Sequence, residues 1–369
     1  MPWIWEQPDW PAFRWQPDPL MQQLAEVRHE QGALLGRFEA LGFSLREQAS
    51  LDTLARDVTQ TSEIEGEILE AAQVRSSIAR RLGVDIGALT PADRHVEGIV
   101  EVTLDATRNF AAPLTRDRLF GWHAALFPSG RSGIHRIRVG EWRDDARGPM
   151  QVISGRMGRE RVHFRAPPAA RLELEMNAFL GWFNGPTAID PVLKAALAHL
   201  WFVTVHPFDD GNGRIARAIA DLALTRSEAS PQRFYSMSAR IRAERSDYYE
   251  MLERTQSGGL DVSDWIAWFL ACLGRAIVDS RARLAEVLRK ADFWARHAEV
   301  PLNPRQIELL NRLLDGFDGK LTSSKWAKIG KCSQDTASRD IADLIARGIL
   351  RKGPAGGRST SYELVQEFG

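Results

Sequence analysis

Cysteine is almost missing from this chain. Cys272 and Cys332 are the only two in 369 residues, and a distant pair makes neither a disulfide framework nor a zinc-ligand spacing. Net charge is missing too. The 48 Lys and Arg balance the 48 Asp and Glu, which excludes a protein whose whole surface coats nucleic acid or anionic lipid. No apolar run approaches the roughly 20 residues of a membrane span. The opening Met1-Pro2-Trp3-Ile4-Trp5-Glu6 has neither the basic nor the long apolar region of a secretory leader. A cytoplasmic protein with no membrane partner is expected. Strand signal is scarce as well, with one convincing period-two segment. What remains is an apolar content of 44%, enough for sizeable cores in two or three domains.

Helical periodicity dominates. Residues 1–18 carry four prolines and aromatics at Trp3, Trp5, Trp10, Phe13 and Trp15, and are read as an extended arm lying on the body. Helices are predicted over Leu20 to Leu41 and Leu45 to Thr59. A separate short helix is predicted from Thr61, stopped or kinked at Gly66. Further helices are expected from Pro91 to Phe110 and Thr115 to Phe127, where His123 sits on a packing face. Residues 131–149 read as loop. Met150 to Ala166 is the strand segment: Val152, Ile153 and Ser154 precede a Gly-containing turn and Val162-His163-Phe164 follows, making a hairpin. Helices then run over Pro168 to Phe183, Pro191 to Val205, Ser238 to Thr255 (with Tyr248 and Tyr249) and Leu260 to Ala298.

Beyond the linker Pro301-Leu302-Asn303-Pro304 come three helical runs, 305–314, 323–329 and 334–347, and a Gly-rich segment around 353–358. Lys320 to Arg358 holds nine basic against three acidic residues, a local basic patch inside a neutral chain.

One stretch stands out, His206-Pro207-Phe208-Asp209-Asp210-Gly211-Asn212-Gly213-Arg214-Ile215-Ala216-Arg217. A glycine turn opening into a helix presents free N–H groups and the positive end of the macrodipole to an anion. Arg214 and Arg217 share one face of the first turn and can both reach a polyphosphate. Asp210 offers a hard carboxylate of the kind Mg²⁺ takes while keeping waters and substrate phosphates as its other ligands. His206, at the entrance, can accept a proton near neutrality.

This stretch resembles the signature of the Fic family at every fixed position. The resemblance implies transfer of a nucleotide monophosphate, AMP from ATP, to a Ser, Thr or Tyr hydroxyl of a target protein or of the chain itself. It implies His206 as base, Asp210 as Mg²⁺ ligand, Phe208 as the core anchor, and Gly211, Asn212 and Gly213 as the anion hole. Arg214 and Arg217 would hold the terminal phosphates. Thr61, Glu65 and Gly66 resemble the family's inhibitory motif, which implies that Glu65 takes Arg217. The hairpin at Val152, Ile153 and Ser154 resembles the Fic flap, which binds an extended target strand by strand addition.

The expected fold is mainly α: an N-terminal helical domain (1–90) similar to one often fused to Fic domains, a Fic core with flap (91–299), and a C-terminal region (300–369) resembling a winged helix. There the third helix would present Gln334, Thr336, Ser338 and Arg339 to DNA or to a docking protein. A homodimer is left open. Two rival readings stand beside transfer: a transcription regulator whose core senses nucleotide, and removal of AMP with Glu65 positioning water.

Overall fold

The computed structural model describes the chain except for residues 1, 156–157, 160, 315–316, 318, 354–359 and 366–369. The sequence-expected turns of the two larger hairpins, at 156–157 and 354–358, lie outside the described residues. The chain is mainly helical and folds as two compact units, Met1–Arg281 and Ala282–Gly369.

In the first unit the arm lies on the body as expected. Trp3 and Trp5 pack on Phe164 and Ala166, and Trp10 donates to Glu175 Oε2 at 2.8 Å. Helix α1 (Pro17–Glu39) starts earlier than the prolines suggested, because Pro17 occupies the first helical position, where a missing N–H costs nothing. Helix α2 (Phe43–Ile64) overturns the expected break before Thr61. It is one continuous helix, and Thr61 to Ile64 form its last turn rather than the start of another. Nothing at Gln60 or Thr61 interrupts the backbone ladder, and the stop comes at Gly66, in the left-handed region at φ 84°.

Helices α3 (Ala71–Leu82), α4 (Arg94–Arg108) and α5 (Arg116–Leu126) follow, α4 capped by Asp93 and α5 by Thr115. The expected loop at 131–149 holds a small antiparallel pair, β1 (Arg131–Ser132) with β2 (His135–Arg136). The expected hairpin is present as β3 (Gln151–Ser154) against β4 (Arg161–Arg165), with a register shift between Val152 and Ile153. After α6 (Leu172–Asn184) comes α7 (Pro191–Val205), buried on nearly every face, and then α8 (Asn212–Glu228). These two central helices pack together and are surrounded by α2, α4, α5, α6 and a further pair. That pair, α9 (Met237–Ala243) and α10 (Arg245–Gln256), replaces the single helix expected over 238–255. The break falls at Glu244, whose carboxylate is held by Arg240 and Arg275.

Helix α11 (Ser263–Arg296) contains the unit boundary, since Phe293 packs into the second unit's core with Leu309, Leu310 and Trp326. That unit continues with α12 (Pro304–Leu314), α13 (Ser323–Ile329) and α14 (Gln334–Ala346), close to the expected bounds. A two-stranded antiparallel pair follows, β5 (Leu350–Lys352) with β6 (Tyr362–Leu364). Gln334, Ser338 and Arg339 are exposed on α14, and Thr336 is half-buried. No described helix is long and apolar enough to cross a membrane.

Candidate active site

The site forms where the α7–α8 turn meets the end of α2. His206 ends α7 in the left-handed conformation, φ 51° and ψ 58°. Its Nδ1 lies 3.1 Å from the Val203 carbonyl. That contact assigns the ring proton to Nδ1 and leaves Nε2 as an acceptor. Burial pushes the imidazole down to about 4, so the ring is neutral at physiological pH.

The loop behind His206 is pinned by groups that sequence reasoning passed over. Arg143, in the stretch read as loop, has a completely buried side chain. Its Nε donates to the His206 carbonyl at 2.8 Å, its Nη2 to the Pro167 carbonyl at 2.6 Å, and its backbone N–H to Pro207 at 2.9 Å. One guanidinium therefore ties the His206 turn to the base of the β3–β4 hairpin. Phe208 is fully buried, as expected of an anchor, and stacks face to face on His123 with centroids 4.2 Å apart. Gly140 N–H donates to His123 Nδ1 at 3.1 Å, so His123 Nε2–H donates to the Asp210 carbonyl at 3.2 Å. Burial pushes His123 down to about 4 and keeps it in that neutral form.

Asn212 is turned inward. Its side chain accepts from Phe208 N–H at 3.0 Å and donates to the Phe208 carbonyl at 2.8 Å, closing the turn on itself. What Asn212 can offer an anion is therefore its backbone N–H. With Gly213 and Arg214 it forms the first turn of α8, whose N–H groups have no intrahelical acceptor. Asp210 stands beside this turn and is half-buried. Its Oδ1 accepts from Gly211 N–H at 2.6 Å and its Oδ2 from the Ser132 hydroxyl. Each oxygen keeps a lone pair, so the group fits as a single carboxylate ligand to a Mg²⁺ otherwise held by phosphates and water.

Above the turn, both signature arginines are taken. Arg217 donates through Nη2 to Glu65 Oε1 at 2.7 Å, and through Nε to the Thr61 hydroxyl at 2.8 Å. A side-chain carbon added at Gly213 would collide with the Glu65 carboxylate, so that carboxylate lies directly over the turn. Arg214 donates through Nη1 to Glu67 Oε2 at 2.8 Å and lies 5.0 Å over the Phe127 ring. Burial works against Arg217, but Glu65 outweighs it and raises the guanidinium above its usual range. Burial likewise opposes ionisation of Glu67. The hydrogen bond from His95 and the charge of Arg214 outweigh that and hold the carboxyl below the usual range.

Residues 113–224, from just before α5 through most of α8, match the Fic/DOC family, and residues 3–84 match a domain of unknown function, DUF4172. The chain carries a Fic domain. It is 37% identical over 119 residues to a protein adenylyltransferase Fic of Nematostella vectensis, covering 31% of this chain and 26% of that one. It is 32% identical over 133 residues to a uridine 5'-monophosphate transferase of Xanthomonas campestris pv. campestris (strain 8004), covering 32% and 22%. A Fic family protein from Desulfovibrio desulfuricans G20 superposes with a TM-score of 0.53 at 20% identity, over 97% of this chain and 99% of that one, which shows a shared fold. The chain spans less than half the length of the curated relatives it matches.

Within the Fic fold, the structure brings Glu65, His206, Asp210 and the α8 turn into one site. Val152, Ile153 and Ser154 lie exposed on β3, whose outer edge pairs with no described strand. Sequence reasoning missed Glu67, His95 and Arg143. Glu67 stood one residue beyond the Thr61–Gly66 pattern and could have been found as a second carboxylate facing a second arginine. Arg143 left no signal, because three of its four partners are backbone carbonyls.

Proposed function

We propose that this Fic protein is a protein adenylyltransferase held off by the end of its own α2. The observation that carries the reading is the Glu65–Arg217 pair lying over an otherwise complete anion cradle. The target hydroxyl gives its proton to His206 Nε2, and its oxygen attacks the α-phosphate as pyrophosphate leaves. The α8 N–H groups and Arg214 and Arg217 receive the phosphates, and Mg²⁺ on Asp210 would neutralise phosphate charge. Positioning and charge neutralisation supply most of the acceleration. Glu65 blocks this by claiming a donor the terminal phosphate needs. A misplacement of about 1 Å costs on the order of a hundredfold in rate.

The open edge of β3 is the proposed dock for an extended target segment. The division into residues 1–90, 91–299 and 300–369 belongs to the same proposal, as does a homodimer. So does DNA docking through the exposed start of α14, which a salt-sensitive mobility shift with the full chain tests.

Intact mass after incubation with Mg²⁺ and ATP, or with Mg²⁺ and UTP, tests the central reading. Wild type should gain little, and Glu65→Gly should gain AMP at least about tenfold faster. Glu65→Gly combined with His206→Ala should gain nothing. Uridylyl rather than adenylyl gain would change the nucleotide. No gain by Glu65→Gly with either nucleotide would sink the transferase reading.

A further inference from the structure

Glu65 and Glu67 flank Gly66 at the end of α2, and the chain there is not slack. Glu67 N–H donates to the Ser62 carbonyl at 3.0 Å and Gly66 N–H to the Glu63 carbonyl at 3.1 Å, the paired bonds of a Schellman stop. The motif fixes the two carboxylates on either side of a left-handed glycine and aims each at a different arginine. Arg214 is 4% exposed and Glu67 is 37% exposed, so the arginine belongs to the wall and the carboxylate to the lid.

Glu67 Oε2 is shared. Arg214 Nη1 reaches it at 2.8 Å and His95 Nε2 at 3.1 Å. Removing Arg214 would therefore not strand a bare carboxylate, because His95 still holds the same oxygen. Nor would Arg214 collapse without Glu67, since the Phe127 ring lies against it. Arg214 Nε is also buried with no hydrogen-bond partner among the described residues, so the guanidinium has donor capacity that Glu67 does not use. A cavity of about 480 Å³ opens beside the pair, lined by Glu67, His95, Phe127, Arg131 and Ser132. It gives the departing carboxylate somewhere to go.

We propose that Glu67 is a second restraining carboxylate, acting on Arg214 as Glu65 acts on Arg217, and that His95 is the group that receives it when a nucleotide phosphate claims the arginine. The inference rests on the site binding a nucleoside triphosphate. Opening is then a two-part event: release of Glu65 frees Arg217 alone, and Arg214 stays committed until Glu67 leaves it and keeps only its bond to His95. Glu67 is thus a positioning residue whose effect reaches the substrate through Arg214.

The test is calorimetric titration of the full chain with ATP and Mg²⁺, every variant carrying His206→Ala so that nothing turns over. Glu67→Ala should tighten ATP binding about tenfold, the worth of one charge-assisted hydrogen bond. Glu65→Gly with Glu67→Ala should bind more tightly than either alone. His95→Ala should weaken binding severalfold, because Glu67 is then left to Arg214 alone. A supporting role, in which Glu67 holds Arg214 ready for phosphate, gives the opposite sign for Glu67→Ala. Glu67→Gln keeps the side chain's shape and decides the sign if the alanine variant does not fold by circular dichroism. Unchanged or weaker ATP binding in the Glu67 variants, with Glu65→Gly tighter, overturns this proposal alone. If no variant binds ATP, the nucleotide reading falls and this one falls with it.

Discussion

His206 holds a conformation that a side chain avoids, with φ at 51°. Left-handed backbone costs a non-glycine residue about 1–2 kcal/mol, and here it ends α7 at the turn. Asparagine tolerates that geometry, so His206→Asn should keep the fold and lose the base. The expected loss is at least about a hundredfold in labelling by the Glu65→Gly enzyme. With the imidazole pushed down to about 4, the base is already bare at neutrality. The labelling rate should rise with pH through that value and then run flat from pH 6 to 8; an inflection between 6 and 7 would contradict the assignment. Arg143 supports the same loop through a fork that lysine cannot copy. Arg143→Lys should lower kcat about tenfold or more while KM for ATP stays within about twofold, since a small misplacement of the base affects the chemical step and not binding. A change confined to KM would place Arg143 elsewhere in the scheme.

The helices α7 and α8 were legible because an apolar run behind Pro191 reads as a buried helix and the glycine turn marks the start of the next. The cradle was legible because its chemistry is local: base, turn and arginines lie within twelve consecutive positions. The end of α2 was legible only as a pattern. Helical signal could not tell the last turn of a long helix from the first turn of a short one, because Thr61 and Ser62 suit a cap as well as a buried turn. Their side chains settle it in space, Thr61 on Arg217 and Ser62 on the Val58 carbonyl. The β3–β4 hairpin was legible from its two apolar runs, but not its bulge or the bracing from the arm through Trp3 and Trp5. On the proposed reading, the free edge of β3 takes a target strand through main-chain hydrogen bonds. Ile153→Pro should cut transfer to a protein target about tenfold and leave ATP affinity unchanged, the loss of one or two hydrogen bonds. Equal transfer would mean that targets dock by side chains or elsewhere.

Across the whole molecule, buried ionisable groups set the response to acid. Burial pushes His123 and His206 down to about 4 and His199 to about 3. Below their ordinary range near 6.5 the unfolded chain binds three protons that the fold refuses, so stability is lost as pH falls from 6.5 toward 4. Asp221 acts the other way. Burial, outweighing the Arg233 guanidinium, raises its carboxyl, so over part of the range the fold keeps a proton there that the unfolded chain gives up. The melting temperature should peak near pH 6.5, fall toward pH 5, and decline gently toward pH 8; a midpoint flat from 5 to 7 would mean these histidines are less buried than the packing implies. No local pattern announces such a balance, because it arises only when α2, α7 and α8 enclose the same interior.

The two halves of the site lie far apart along the chain, Glu65 and Glu67 at the end of α2 and the arginines in α8. A ribosome releases the first long before the second, and early segments fold first. When α8 emerges and seats itself, the carboxylates are already waiting on the surface it must pack against. On the proposed reading, a newly made molecule does not expose a finished cradle with bare arginines, and its restraint is inherited from the order of synthesis.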